Sequence, residues 1–362
     1  MRPKTILLTR LLLIFSLVAL IGDYQLNAQQ YDITDLGVLS GTTYSTGLGV
    51  NSSGAVVGCS GAPQASCPSV PPAGFLWEQQ TGLRVLTPLA GYNLSAPAAI
   101  NDAGVIAGYS QHTANGIGPS RAVIWTNGVP QDLGSLFPHC GAICDMYGSA
   151  ISQNGFVTGC GDMPDGNPIA FFWNQQRGML GLGTLDFYGS CGTGVNSNGA
   201  VVGYVYDIGL ATAGFFWTQA SGMLLIRPLT GTNYWSPASA INDKNEVVGN
   251  TTYSVGSTTY SHAYLWTKNQ GLTDLGALGS RTEVSAALAI NDNSQIVGFS
   301  GFPANAFIWS KQQGMVDLNT LIDSNSGWVL NTATSISNNG LITGSGTINA
   351  ETHAFLLTPN LP

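Results

Sequence analysis

The chain has 362 residues, 11 Lys+Arg against 19 Asp+Glu for a net charge of −8, only 8% charged residues, and 47 glycines. It lacks the basic footprint that displaces counterions from phosphates, which excludes nucleic-acid binding and disfavours anionic membrane surfaces. Charge this low against a usual ~25%, with so much glycine, argues against disorder and for turn-rich all-β structure.

Arg2, Lys4 and Arg10, the apolar run LLLIFSLVALIG from residue 11 and the small Ala28 form the three-part pattern of a cleavable secretory signal. The run is short for a spanning helix, which needs ~20 apolar residues. Residues 1–28 are therefore expected to be removed. Residues 29–362 are expected to form a single exported domain, extracellular or periplasmic, with no membrane span after cleavage.

The first expected strand is YDITDLGVL from Tyr31. Seven variants of one decapeptide follow: GVNSSGAVVG at 49, AINDAGVIAG at 99, AISQNGFVTG at 150, GVNSNGAVVG at 194, AINDKNEVVG at 240, AINDNSQIVG at 289 and SISNNGLITG at 335. Their closing residues, Gly58, Gly108, Gly159, Gly203, Gly249, Gly298 and Gly344, lie 44 to 51 apart, a period typical of propellers and solenoids. Each copy reads as a strand rich in small residues, a tight turn of residues that tolerate positive φ, and a β-branched second strand. An aromatic third strand comes next (AGFLW at 73, RAVIW at 121, IAFFW at 169, AGFFW at 213, HAYLW at 262, NAFIW at 305, HAFLL at 353), then a fourth of the GMVDL type.

Small residues in every first strand suit crowding around a central axis, which a propeller has and a solenoid does not. The pattern predicts an all-β, seven-bladed β-propeller of four-stranded blades. The seventh aromatic strand has no fourth strand after it, whereas YDITDLGVL has no strands before it. The N-terminal strand is therefore expected to complete the last blade, so that neither end exposes a raw edge.

The joint recurrence of AIND-x-G-x-VVG, HAF-x-W and G-M-x-DLG-x-L over residues 31–358 resembles the HAF repeat of bacterial extracellular proteins, with the motif standing as His353-Ala354-Phe355 and nearly as His262-Ala263-Tyr264. The resemblance implies an exported repeat protein of propeller type and no established reaction. Five units lack the histidine and the last lacks the tryptophan, which argues that neither residue is catalytic.

Six cysteines in an exported chain favour disulfides, and the absence of CxxC spacing speaks against zinc. The expected pairs are Cys59 with Cys67, Cys140 with Cys144 and Cys160 with Cys191, all six placed in the strand-two-to-three and strand-four-to-one connections, although spacing leaves the connectivity open. The tryptophans Trp77, Trp125, Trp173, Trp217, Trp266 and Trp309 are expected to fill core between blades. Asp102, Asp243 and Asp292 fall in the decapeptide turns, where a carboxylate can cap its own backbone.

The connections entering strand one carry Tyr44, Tyr92, Tyr147, Tyr188, Tyr234 with Trp235, and Trp328; the remaining unit has Arg281 and Glu283 there. Such rings can stack on sugar faces, or they can plug gaps between blades. No nucleophile elbow, His-Glu-x-x-His pair or phosphate loop appears, the four histidines are scattered, and no metal or cofactor is implied. Acids in the same loops, Asp145, Asp162, Asp165, Asp186 and Glu283, offer the carboxylate pair of a glycoside hydrolase. The sequence thus favours a non-enzymatic binding module for extracellular or envelope glycan or a protein partner, with a secreted glycoside hydrolase or polysaccharide lyase as the alternative and a monomer compatible with the pattern.

Overall fold

The structure is a computed structural model that describes residues 30–61, 73–112, 119–137, 145–163, 166–207, 212–228, 235–256, 258–279 and 284–360. In chain order the strands are β1 Tyr31–Gly37, β2 Tyr44–Val50, β3 Val56–Gly61, β4 Ala73–Glu78, β5 Gly82–Val85, β6 Leu94–Ile100, β7 Ile106–Gln111, β8 Ser120–Thr126, β9 Val129–Asp132 and β10 Met146–Ile151. They continue with β11 Val157–Asp162, β12 Pro168–Asn174, β13 Gly178–Gly181, β14 Gly189–Val195, β15 Val201–Tyr206, β16 Thr212–Thr218, β17 Gly222–Ile226, β18 Trp235–Ser236 and β19 Ala238–Ile241. The remainder are β20 Val247–Val255, β21 Thr258–Thr267, β22 Gly271–Asp274, β23 Ser285–Ile290, β24 Ile296–Ser300, β25 Asn305–Ser310, β26 Gly314–Asp317, β27 Val329–Ile336, β28 Ile342–Ile348 and β29 Glu351–Pro359.

Antiparallel four-strand sheets recur as β6–β9, β10–β13, β14–β17, β19–β22 and β23–β26. The strands β2–β5 and β27–β29 share one further sheet through a single parallel pairing, Tyr44 with Thr352. β1 pairs antiparallel with β29 from Tyr31↔Pro359 to Gly37↔Ala354, so the N-terminal strand does supply the outer edge beside the C-terminal one. The amides of Gln30 and Tyr31 also donate to Leu321 O, and the Asn360 amide donates to Gln30 O.

The core lies between neighbouring sheets. Ala55, Val57 and Leu86 pack on Ile100, Ile106, Val123 and Trp125, and Phe216 and Ile226 pack on Tyr264 and Trp266. Both faces of each second strand are covered, which is why the decapeptide carries paired apolar residues there: Val56 and Val57, Val201 and Val202, and Val247 and Val248 are all 0% exposed. Trp77, Trp125, Trp173, Trp217 and Trp266 are buried and Trp309 is half-buried. The Trp125 indole N–H donates to Thr87 O at 2.7 Å.

The turn residues join one sheet to the next. Asn51 Oδ1 accepts from the Ser53 and Ala55 amides of its own hairpin, while its Nδ2 donates 3.1 Å to Asn101 O in the following sheet. Asn101, Asn196, Asn242 and Asn291 donate onward in the same way. Ser152 and Ser337 replace that asparagine in two copies; they cap their own hairpins but cannot reach across. The asparagine two positions later does so instead: Asn154 Nδ2 donates to Ser197 O, and Asn339 Nδ2 donates to Ser52 O, which joins the last decapeptide to the first. The expectation that Asp102, Asp243 and Asp292 cap their own backbone is corrected. Asp102 Oδ1 accepts from the Ser52 amide, Asp243 Oδ1 from Ser197 and Asp292 Oδ1 from Asp243, each in the preceding sheet, because the asparagine already serves the local amides.

Candidate functional site

The strand-two-to-three and strand-four-to-one connections emerge on one face, the loop face, opposite the asparagine hairpins. A patch on it draws on three consecutive sheets. β7 contributes Tyr109; β10, β11 and the residue before β10 contribute Tyr147, Asp162 and Asp145; Tyr188 precedes β14, and Tyr204 and Tyr206 lie on β15. Tyr109 and Tyr147 meet edge to face at 4.9 Å, and Tyr206 lies 6.0 Å from Tyr188 and 6.2 Å from Tyr204.

Two carboxylates sit among these rings. Asp145 Oδ1 accepts from the Ser120 amide at 2.6 Å, and the Asp162 amide donates 2.9 Å to Asp145 O. Burial, and after it the charge of Asp145, pushes the Asp162 carboxyl above the usual range. The Tyr147 and Tyr206 hydroxyls are also raised, first by burial and then by polar and charged neighbours that include Asp145 for Tyr147 and Asp162 for Tyr206. The result is an amphipathic surface: ring faces for apolar C–H groups, and carboxylates that accept hydrogen bonds from hydroxyls.

Of the aromatics expected from sequence, Trp235 is 46% and Tyr188 40% exposed, whereas Tyr44, Tyr92, Tyr147 and Trp328 are half-buried. Trp328 packs edge-on against Phe355 and belongs to the core between the last sheets. Among the described residues, the ring contacts join none of these six to another. Tyr234, Asp165, Arg281 and Glu283 lie outside the described residues. Sequence reasoning missed Phe302, 80% exposed on the β24–β25 connection of the same face, and the strand-borne Tyr109, Tyr204 and Tyr206. A signal for two of these was present. The residue after each closing glycine varies widely in size and chemistry (Cys59, Tyr109, Cys160, Tyr204, Asn250, Phe299, Ser345), whereas the glycine before it is the same in all seven copies.

Cys160 and Cys191 form a disulfide, as expected, but the loop placement is corrected: Cys160 lies in β11, Cys191 in β14 and Cys59 in β3. The bond can form between strands because β11 of one sheet packs against β14 of the next, directly beneath the patch. Cys59 is also disulfide-bonded. Cys67, Cys140 and Cys144, and with them the two other expected pairings, lie outside the described residues. Replacing Cys160 and Cys191 together by alanine is expected to cost ~2–4 kcal/mol in denaturant unfolding.

The repeat histidines pair with the aspartates of the fourth-strand motif. His353 Nδ1 lies 2.9 Å from Asp35 Oδ1 and His262 Nδ1 3.0 Å from Asp274, while Arg121 meets Asp132 and Asn305 meets Asp317 at the equivalent positions. Each of these aspartates also accepts the amide two residues on, from Gly37, Gly276, Gly134 and Asn319. Burial alone would raise Asp274, but hydrogen bonds from Tyr253, His262 and the Gly276 amide hold it below the usual carboxylate range. Where the aspartate is lacking the partner is small or apolar: Ala73 with Val85, Ile169 with Gly181, Ala213 with Leu225. The repeat histidine is thus one half of a cross-strand pair. Among the described residues no cluster of three or more His, Cys, Asp or Glu is placed to hold a metal.

No family model and no curated protein matches the sequence. Solved structures do resemble it. Puromycin hydrolase aligns with a TM-score of 0.58 at 12% identity, covering 92% of this chain and 54% of its own. Streptogramin B lyase aligns with a TM-score of 0.53 at 9% identity over 91% of this chain and 98% of its own. The likeness is one of fold. The chain is an all-β propeller. The extracellular domain of a B. thetaiotaomicron hybrid two component system is similar at a TM-score of 0.52 and 11% identity, over 92% of this chain and 40% of its own. The chain thus spans about half of puromycin hydrolase and nearly all of streptogramin B lyase. Propellers of this shape include enzymes and binding domains, so function rests on the loop face and not on the ring.

Proposed function

We propose that the protein is an exported, seven-bladed β-propeller of the HAF-repeat type that binds extracellular or envelope glycan through its loop face, without catalysis. The observation that carries the reading is the patch of Tyr109, Tyr147, Tyr188, Tyr204 and Tyr206 around Asp145 and Asp162, with exposed Trp235 on β18, which pairs with β16 of the sheet that carries Tyr204 and Tyr206. The blade count rests on the repeat period and on the four-strand groups that β1 completes at the joint. Export rests on the N-terminal pattern and is consistent with a disulfide between sheets.

The test is incubation of the purified protein with a panel of soluble and insoluble polysaccharides, scoring depletion of protein and release of reducing ends together. Depletion without release is expected, weakened about tenfold or more by Tyr188→Ala or Trp235→Ala, a loss near that of a binding hot spot. Depletion that both variants retain would remove the glycan reading from this face, and no depletion at all would direct the search to a protein partner. The raised Asp162 beside Asp145 favours a second reading, a glycoside hydrolase with these two as acid and partner carboxylate. Reducing ends released by the parent and not by Asp162→Asn would establish it.

A further inference from the structure

Every inner strand breaks register at the same place. The shifts fall between Gly47 and Gly49, Pro97 and Ala99, Gly148 and Ala150, Gly192 and Gly194, Ala238 and Ala240, Ala287 and Ala289, and Ala333 and Ser335. A bulge leaves one residue unpaired and re-aims its side chain, and it recurs beside functional sites. Here the skipped residues include Leu48, Ala98, Leu288 and Thr334, and these four are half-buried around one cavity of about 340 Å³ on the axis.

The wall of this cavity is chiefly apolar, with Cys59, Ala96 and Pro97 behind the bulge residues. Thr334 contributes its methyl side, since its hydroxyl is engaged by Gly47 O and Thr343 O. One polar aromatic side chain also lines it, that of Tyr109, whose hydroxyl makes no hydrogen bond among the described residues and is raised by burial and by the nearby Tyr147 and Asp145. A dry cavity of ~150 Å³ lined by aliphatic side chains already accepts a benzene-sized ring. A space larger than that, with a tyrosine in its lining, fits a small fused or substituted ring that carries a single hydroxyl or amine.

We infer that the axial cavity is a binding site for a small apolar ring compound bearing one hydrogen-bonding group, held by Leu48, Ala98 and Leu288 and oriented by Tyr109. The site shares Tyr109 with the glycan surface but does not require glycan binding. Tyr109 links the two, since its ring packs on Tyr147 of the patch and its side chain also lines the cavity.

The probe is 2-naphthol, with naphthalene as the analogue that lacks the hydroxyl, titrated into the purified full chain and followed by fluorescence and equilibrium dialysis. Saturable binding of one equivalent is expected. Leu288→Trp, and Ala98→Leu as the milder filling variant, should each weaken it about tenfold or more, with unchanged circular dichroism as the check on folding. Tyr109→Phe should weaken 2-naphthol several-fold and leave naphthalene unchanged. The inference is overturned by binding that does not saturate, or by saturable binding that survives Ala98→Leu in a folded protein. Polysaccharide retention by the filling variants should match the parent, so failure of the glycan reading and failure of this one are told apart.

Discussion

Deleting residues 29–38 lowers the melting temperature by roughly 5–15 °C, the shift expected when several kcal/mol are removed from a domain of this size. β1 is short, but it bridges two cores. Tyr31 is 6% exposed and packs with Leu318, Leu330 and Leu357, while Leu36 is 4% exposed and packs with Phe75, Trp77 and Leu356, so one strand seals the last sheet on both sides. Losing these two side chains alone costs about 1.5–3 kcal/mol each. The deletion also strips β29 of its outer partner and leaves an open edge at the joint. Differential scanning calorimetry of the deletion and parent proteins checks this, and a synthetic peptide of residues 29–38 should restore part of the loss. An unchanged melting temperature would mean that ring closure does not depend on the N-terminal strand.

The second large effect is expected at the glycine that ends each decapeptide. At Gly159 a Cβ would stand 1.8 Å from Tyr147 O, and at Gly344 1.9 Å from Thr332 O, because the bulge in the inner strand swings its carbonyl over the neighbouring second strand. Gly159→Ala must push two covered strands apart and should cost ~3 kcal/mol or more, the upper range of overpacking. Gly82→Ala is the control. Gly82 has a positive φ of 67°, but nothing lies within 4 Å of an added Cβ, so only the ~1–2 kcal/mol of left-handed backbone is lost. Urea unfolding of the two variants separates crowding from backbone conformation. Equal losses would show that the bulge can relax.

What the sequence made legible follows from periodicity. Strand order, the small inner strands, the apolar second strands and the use of Tyr31–Gly37 at the joint could all be read, because each repeats at one position and depends on neighbours along the chain. What was missed depends on contacts between units. The aspartates of the turns looked like local caps because their true donor partners, the amides of Ser52, Ser197 and Asp243, belong to another copy some 46 to 50 residues away. Cys160 and Cys191 looked like loop residues because flanking glycines resemble turn sequence. The histidine and the fourth-strand aspartate read as two motifs until the register placed them across one strand pair. Tyr109 and Tyr204 stood at the variable position of a repeat, a place where difference carries more information than sameness.

The hairpin hydrogen bonds also bear on how such a chain grows. Each copy holds a donor amide for its successor and acceptors for its predecessor, and where Ser152 and Ser337 interrupt the rule, Asn154 and Asn339 restore it within the same copy. An in-frame duplication of one unit therefore brings both halves of a new joint with it, and a lost unit takes both away. Chemistry at the joints does not count the copies. Ring size is left to the angle between sheets, which the close approach of the inner strands sets, so the glycines and alanines of those strands act as the gauge of the circle.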